Sequence, residues 1–203
     1  PDTRKTFIYN TFEKLMKAIS KSLKKNDPNH LNLGIRYGYI EQLDDELLRI
    51  SKESFDALSF NCYALSPDHE KMNHALEISG LPMIIGEYHF GTVDRGLAQS
   101  LWQVNSQKER GDAFRYYTEN AFAHRGLIGT GWFRWIDQNI NGRTDGENYN
   151  CGFIDVTDRP YPYMVDAAIE TAKSLYEIHS GTKTPFHQAP NAVGHSPIPN
   201  LWE

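Results

Sequence analysis

The chain has 203 residues, 39% hydrophobic and 12% aromatic, with a formal net charge of −5, which is enough apolar material to bury a globular core. The acidic balance excludes a nucleic-acid binder by charge, because the longest basic cluster, Lys21 to Lys25, lies on the polar side of a helical pattern. No apolar run approaches the roughly 18 residues that cross a bilayer, and Cys62 and Cys151 lie too far apart in sequence to suggest a zinc site or a disulfide framework. No cofactor, no metal and no membrane partner is therefore expected. Pro1 has no preceding Met and the first five residues are not a signal peptide, which leaves room for a leader or a further domain upstream.

Phe12, Leu15, Met16, Ile19 and Leu23 recur every three or four residues and predict an amphipathic helix ending near Asn26-Asp27-Pro28. A strand is expected over residues 31–37, and then a helix over 43–54 whose early acids, Asp44, Asp45 and Glu46, suit the helix dipole. Residues 56–63 read as a second strand, 68–79 as a helix closed by Gly80, and 81–87 as a third strand. A long loop holding Trp102 follows. Ala113, Phe114, Tyr117, Ala121 and Phe122 then mark a helix over 106–124, and residues 127–135 read as a fourth strand. A polar loop at 137–150 and a short apolar segment at 152–156 precede a last helix at 163–179. The segment from 181 to 203 has no periodicity and is expected to be an extended tail, wrapped over the surface or partly disordered.

A helix followed by four strand-helix units predicts an α/β fold with a parallel sheet and right-handed crossovers. Eight such units close a barrel, typically in about 250 residues. Four make half of one, so residues 1–180 are expected to be half of a β/α-barrel domain. Its other half is then missing or supplied by another chain, since open strand edges are usually covered.

The segment from Pro82 to Gly91 carries the chemistry. A short apolar run delivers one carboxylate, Glu87, at the end of a buried strand, which is where β/α-barrel enzymes place catalytic groups. The competing reading is a loop Glu bonded to an Arg. Arg36, on the first strand, must itself be paired, either at the barrel rim or with Glu87 or substrate. Asp137, Asn139, Asn141 and Gly142 fall at the first, third, fifth and sixth positions of a calcium loop. Asn148 occupies the twelfth, where a bidentate Glu is needed, and a strand rather than a helix leads in, so no calcium site is assigned.

Tyr63 after Asn61, Gly86-Glu87, and Trp132-Phe133-Arg134-Trp135 resemble strands six, seven and eight of the retaining β/α-barrel glycoside hydrolases. The blocks 85–96, 132–138 and 142–150 are similar to the β-agarases of glycoside hydrolase family 50, and the barrel logic is shared more distantly with family 42 β-galactosidases. This resemblance covers residues 7 to 179. It implies that Glu87 is the nucleophile of a retaining glycosidase and that Tyr63 donates its phenol to that carboxylate. It further implies that Trp135 stacks on sugar and that Asn61, His89, Arg36, Asp94, Arg95, Asp137, Glu147 and Asn148 contact substrate. Retention needs a second carboxyl group about 5 to 5.5 Å from the first. The relatives carry that acid/base in an Asn-Glu pair at the end of strand four, and this chain has no such pair. The expectation is the C-terminal half of a secreted or periplasmic galactan hydrolase, inactive alone and acting on β-galactosidic bonds when joined to its N-terminal half. The alternative is a non-catalytic carbohydrate-binding or half-barrel assembly module.

Overall fold

A computed structural model describes residues 2–194; the end of the expected tail, 195–203, lies outside the described residues. The chain divides into two compact units. The first comprises residues 1–62, 68–86 and 126–129, and the second 63–67, 87–125 and 130–203.

The first unit holds the sheet. Helix α1 spans Thr3–Asn26, capped by the Asp2 carboxylate, which accepts from Arg4 N–H at 3.1 Å. It is followed by β1 (Arg36–Tyr37), a 3₁₀ turn (Ile40–Gln42), α2 (Asp45–Ser54), β2 (Leu58–Asn61), α3 (His69–Ser79) and the start of β3 (Met83–Tyr88). The sheet order is β1-β2-β3-β5, where β5 is Leu127–Trp132. The strands are parallel. Arg36 lies opposite Ser59, Leu58 N–H donates to Pro82 O at 2.8 Å, and Met83 N–H donates to Gly126 O at 2.7 Å, so each strand begins beside the start of the next. Asp44 and Asp68 cap α2 and α3, placing acidic oxygens on orphan N–H groups. The core is Leu48, Leu58, Phe60, Met72, Met83, Ile85 and Leu127, all with negligible exposure.

The first strand is shorter than expected, two residues rather than seven. Asn32 is drawn out of the ladder: its N–H donates to the Asp56 carboxylate at 2.7 Å, its amide to Ser54 O at 3.0 Å, and its side-chain oxygen accepts from Gly34 N–H at 3.1 Å. Gly34 itself sits at φ +73, a left-handed conformation that breaks extended pairing. On α1, Leu15, Ile19 and Leu23 are exposed although they form the apolar stripe.

The second unit is built on α4 (Gln107–Phe122) and α5 (Pro162–His179). Phe114 and Tyr117 of α4 join Tyr88, Trp132 and Phe153 in an aromatic core: Tyr88 stacks on Tyr117 at 4.1 Å, and Trp132 meets Tyr88 edge-on at 5.2 Å. Two short strands absent from the sequence reading, β4 (Trp102–Gln103) and β6 (Val193–Gly194), pair antiparallel. After α5 the chain returns over α4 through Phe186. Buried Glu119 accepts from Phe186 N–H at 2.8 Å and pairs with Arg115 at 2.9 Å. Asn120 donates to Phe186 O at 3.0 Å, and the Arg115 guanidinium lies 4.6 Å over the Phe186 ring.

Candidate active site

The end of β3 sets the geometry. Burial alternates along Met83–Gly86 as a strand requires, but Gly86 and Glu87 are both half-buried before Tyr88 is buried again. Tyr88 is fixed by its stack on Tyr117 and by a 2.5 Å hydroxyl contact with Thr118, and burial pushes its phenol up to about 12. Glu87 is thereby left half-buried at the end of an anchored strand.

Glu87 receives a phenol. Tyr63, two residues past the end of β2, donates its hydroxyl to Glu87 Oε2 at 2.8 Å. A donor in that position fixes one carboxylate oxygen. His89 packs its ring against Tyr63, with centroids 4.8 Å apart and planes at 63°.

His89 is the first correction to the substrate-contact set. It is 2% exposed, and both nitrogens are taken: Nδ1–H donates to Phe133 O at 3.0 Å, and Nε2 accepts from Leu101 N–H at 3.1 Å. No polar atom remains for a sugar hydroxyl. Burial drives its pKa down to about 3 against the opposing bond to Phe133 O, with a lesser repulsion from the Arg110 cation.

Asp137 is the second correction. Only 3% exposed, its carboxylate accepts two bonds from Asn150 Nδ2 at 3.0 and 2.9 Å, one from Gly152 N–H at 2.7 Å and one from Tyr161 Oη at 2.5 Å. Its oxygens are committed to those donors, which removes it both as a substrate contact and as the first ligand of a calcium loop. Burial, then Asp137, drives the Tyr161 phenol upward.

Asp94 and Arg95 remain accessible. The Asp94 carboxylate accepts from Thr92 Oγ1 and, at 2.7 Å, from Gln107 Nε2; Arg95 Nε stands 3.8 Å from it and its guanidinium lies 5.5 Å over the Tyr161 ring. Glu147 accepts from Gln138 Nε2 at 2.8 Å and pairs with Arg143 at 3.5 Å. Asn148 donates its amide to Ile140 O at 3.3 Å, and its carbonyl accepts from Ala98 N–H at 3.1 Å. Trp135 is 68% exposed and stacks on Phe153, centroids 5.9 Å apart and planes at 18°. It is therefore a supported, outward indole. Trp132 instead donates Nε1–H to Cys151 O at 2.7 Å within the aromatic core.

Two further predicted residues lie in the first unit. Arg36 Nη1 donates to Gly86 O at 3.4 Å, and its Cδ lies 2.1 Å from where a Cβ at Gly86 would sit, so position 86 admits no side chain while Arg36 lies there. Asn61 is the last residue of β2.

A buried polar cluster escaped the sequence reading. Arg110, with no exposed surface, donates Nε–H to Phe90 O at 3.0 Å and Nη1–H to Gln107 Oε1 at 2.9 Å, reaches Gly152 O through Nη2, and lies 4.9 Å over the Tyr161 ring. Burial lowers its pKa, opposed chiefly by Asp137. Asn150 joins Gln107 at 2.8 Å and Thr92 at 3.0 Å. The signal was available: Arg110 stands four and seven residues before Phe114 and Tyr117, on the apolar face of α4. Among the described residues, no group of three or more His, Cys, Asp or Glu is arranged to hold a metal ion, and no helix is long and apolar enough to cross a membrane.

Parallel β/α units with a carboxylate at a strand's C-terminal end define a segment of a β/α-barrel. No family model matches the sequence. The chain is 36% identical over 166 residues to Beta-agarase A of Vibrio sp. (strain JT0107), a match covering 78% of this chain and 16% of the agarase. The solved structure of an exo-beta-agarase is 32% identical with a TM-score of 0.80, covering 88% of this chain and 24% of that one. The structure of PfGH50B is 36% identical with a TM-score of 0.78, covering 82% and 24%. Over about four fifths of its length the chain is similar to β-agarases of glycoside hydrolase family 50, and it spans about a sixth of the length of the curated relatives it matches, 16% and 17%.

Proposed function

We propose that this segment supplies the nucleophile side of a retaining glycosidase that hydrolyses β-galactosidic bonds in agar-type galactans. The observation that carries the reading is the 2.8 Å bond from Tyr63 Oη to Glu87 Oε2 at the end of a barrel strand. In this reading a Glu87 oxygen attacks the anomeric carbon as the glycosidic C–O bond breaks, and the leaving oxygen takes a proton from a general acid. Water activated by the same group then hydrolyses the glycosyl-enzyme ester and regenerates the free carboxylate. Tyr63 holds the carboxylate on its line of attack, and Trp135 offers an exposed indole face to a sugar ring.

The general acid belongs to the part of the longer protein outside this chain, on an N-terminal set of β/α units that also closes the sheet. Among the loop carboxylates of the second unit, Asp137 is saturated by donors, while Asp94 and Glu147 are held by amide and Arg partners. The isolated chain is accordingly inactive toward galactans, and the intact protein works outside the cytoplasm, where polymeric agar is found. An exposed Trp135 would also suit a segment that binds sugar without turning it over.

The test is Glu87→Gly in the full-length protein with azide present. Loss of hydrolysis together with formation of a galactosyl azide of inverted anomeric configuration is expected, because a small anion replaces the missing nucleophile. Retained hydrolysis by Glu87→Gln would overturn the assignment.

A further inference from the structure

His89 lies two residues beyond the proposed nucleophile, yet its polar atoms are turned away from any sugar. Nδ1–H is held by Phe133 O, just past the end of β5, and Nε2 by Leu101 N–H, in the loop before β4. A carbonyl can only accept and a backbone N–H can only donate, so the two partners together specify the neutral tautomer with hydrogen on Nδ1. Leu101 follows Ser100, a buried non-glycine residue at φ +65, so the tie to His89 closes a loop whose backbone does not favour that path on its own. The remaining surface of the imidazole meets Tyr63 edge to face at 4.8 Å and Tyr149 at 5.8 Å.

Resting on the proposed role of Glu87, we infer that His89 is a positioning residue: a neutral ring, clamped at both nitrogens, that forms the wall holding the Tyr63 phenol on Glu87. The Tyr63 hydroxyl needs such a wall. Its bond to Oε2 is directional, and a phenol free to rotate about its side-chain torsions spends only part of its time aligned. His89 removes that freedom without offering a competing hydrogen bond, because neither nitrogen has one to give. The clamp also explains why a histidine rather than a phenylalanine occupies a buried aromatic position: a phenylalanine would fill the space but strand Leu101 N–H and Phe133 O.

The full-length protein is the system for the test, with His89→Asn and His89→Gln as the variants. Asn keeps a donor near the Nδ1 position, Gln keeps an acceptor near the Nε2 position, and neither keeps the ring. Each is expected to lower kcat about tenfold while KM stays within about twofold, as for an interaction realised in the transition state. In a Tyr63→Phe background the same His89 substitutions are expected to lower kcat by less than about twofold, because their route to the carboxylate is already cut. An equal loss in both backgrounds, or a change confined to KM, overturns the inference. Where one variant fails to fold, the other is read; where both fail, Tyr63→Phe alone must lower kcat about tenfold or more, or there is no alignment for His89 to hold and the wall role is wrong. Failure of the nucleophile reading is recognised separately, by hydrolysis that survives Glu87→Gln.

Discussion

Tyr63 Oη donates to Glu87 Oε2 at 2.8 Å, joining the segment after β2 to the end of β3 through one phenol and one carboxylate. A hydrogen bond to a charged group contributes about 1.5 to 3 kcal/mol, and this one is placed where it would hold Glu87 in its proposed role as nucleophile. Tyr63→Phe in the full-length protein is therefore expected to lower kcat/KM for agarose oligosaccharides by about 10- to 100-fold. Thermal unfolding of the variant should stay close to that of the parent, which separates lost alignment from lost folding.

Acid should weaken the fold through His89. Its folded pKa is depressed from 6.5 to about 3, by burial first, with the Arg110 cation opposing protonation and the Tyr63 and Tyr149 rings facing the imidazole. The unfolded chain thus takes up the proton first as pH falls. Stability is complete above about 6.5 and declines toward 3 by up to about 1.4 kcal/mol per pH unit. Asp155 and Glu170, whose pKa values are lowered by hydrogen bonds to Thr157 and Lys173, add to this only at lower pH. Urea unfolding at pH 7, 6 and 5 should show the slope, and His89→Asn should abolish it over that interval.

Asp137 separates a structural carboxylate from a binding one. Asp137→Ala leaves Gly152 N–H and Tyr161 Oη without their acceptor and Asn150 Nδ2 with Tyr161 Oη alone, and each stranded buried donor costs about 1 to 3 kcal/mol. A loss of several kcal/mol in chemical denaturation is expected. A variant of unchanged stability with a raised KM would instead restore Asp137 as a substrate contact.

Trp135 should behave in the opposite way. Its indole is largely exposed and touches Phe153 on one face, so Trp135→Ala is expected to change stability by less than about 1 kcal/mol. Loss of a sugar-stacking face worth about 0.5 to 1.5 kcal/mol should raise KM roughly two- to tenfold with kcat little altered. Titration calorimetry with neutral agaro-oligosaccharides checks the same point without turnover.

The long elements were legible because local rules and packing agree there. Gly80 closes α3 as its place after residues 68–79 predicts, α2 lies within the helix read over 43–54, and the run read as a strand over 81–87 pairs as Met83–Tyr88. The first strand was over-read because Leu31, Leu33 and Ile35 alternate like a strand, while Asn32 and Gly34 pull that stretch into a loop by side-chain bonds that periodicity does not register. Glu87 stood out at the end of an apolar run and the family resemblance paired it with Tyr63, and the coordinates add the 2.8 Å distance and the oxygen that is bonded. His89 and Asp137 were misassigned for a common reason. Polarity in a loop near a carboxylate reads as ligand binding, whereas what decides the matter is whether backbone donors and acceptors have already claimed each polar atom.

The return of the chain over α4 sets where this segment can be cut. Ending it at His179, the last residue of α5, would remove Phe186, and with it the N–H that satisfies Glu119, the carbonyl that accepts from Asn120 and the ring beneath Arg115. A carboxylate sealed by a passing strand of backbone would be opened to water beside an unshielded helix face. The residues after the final barrel helix therefore act as a closure, and recombinant pieces of this enzyme class trimmed at the last helix should lose solubility before they lose secondary structure.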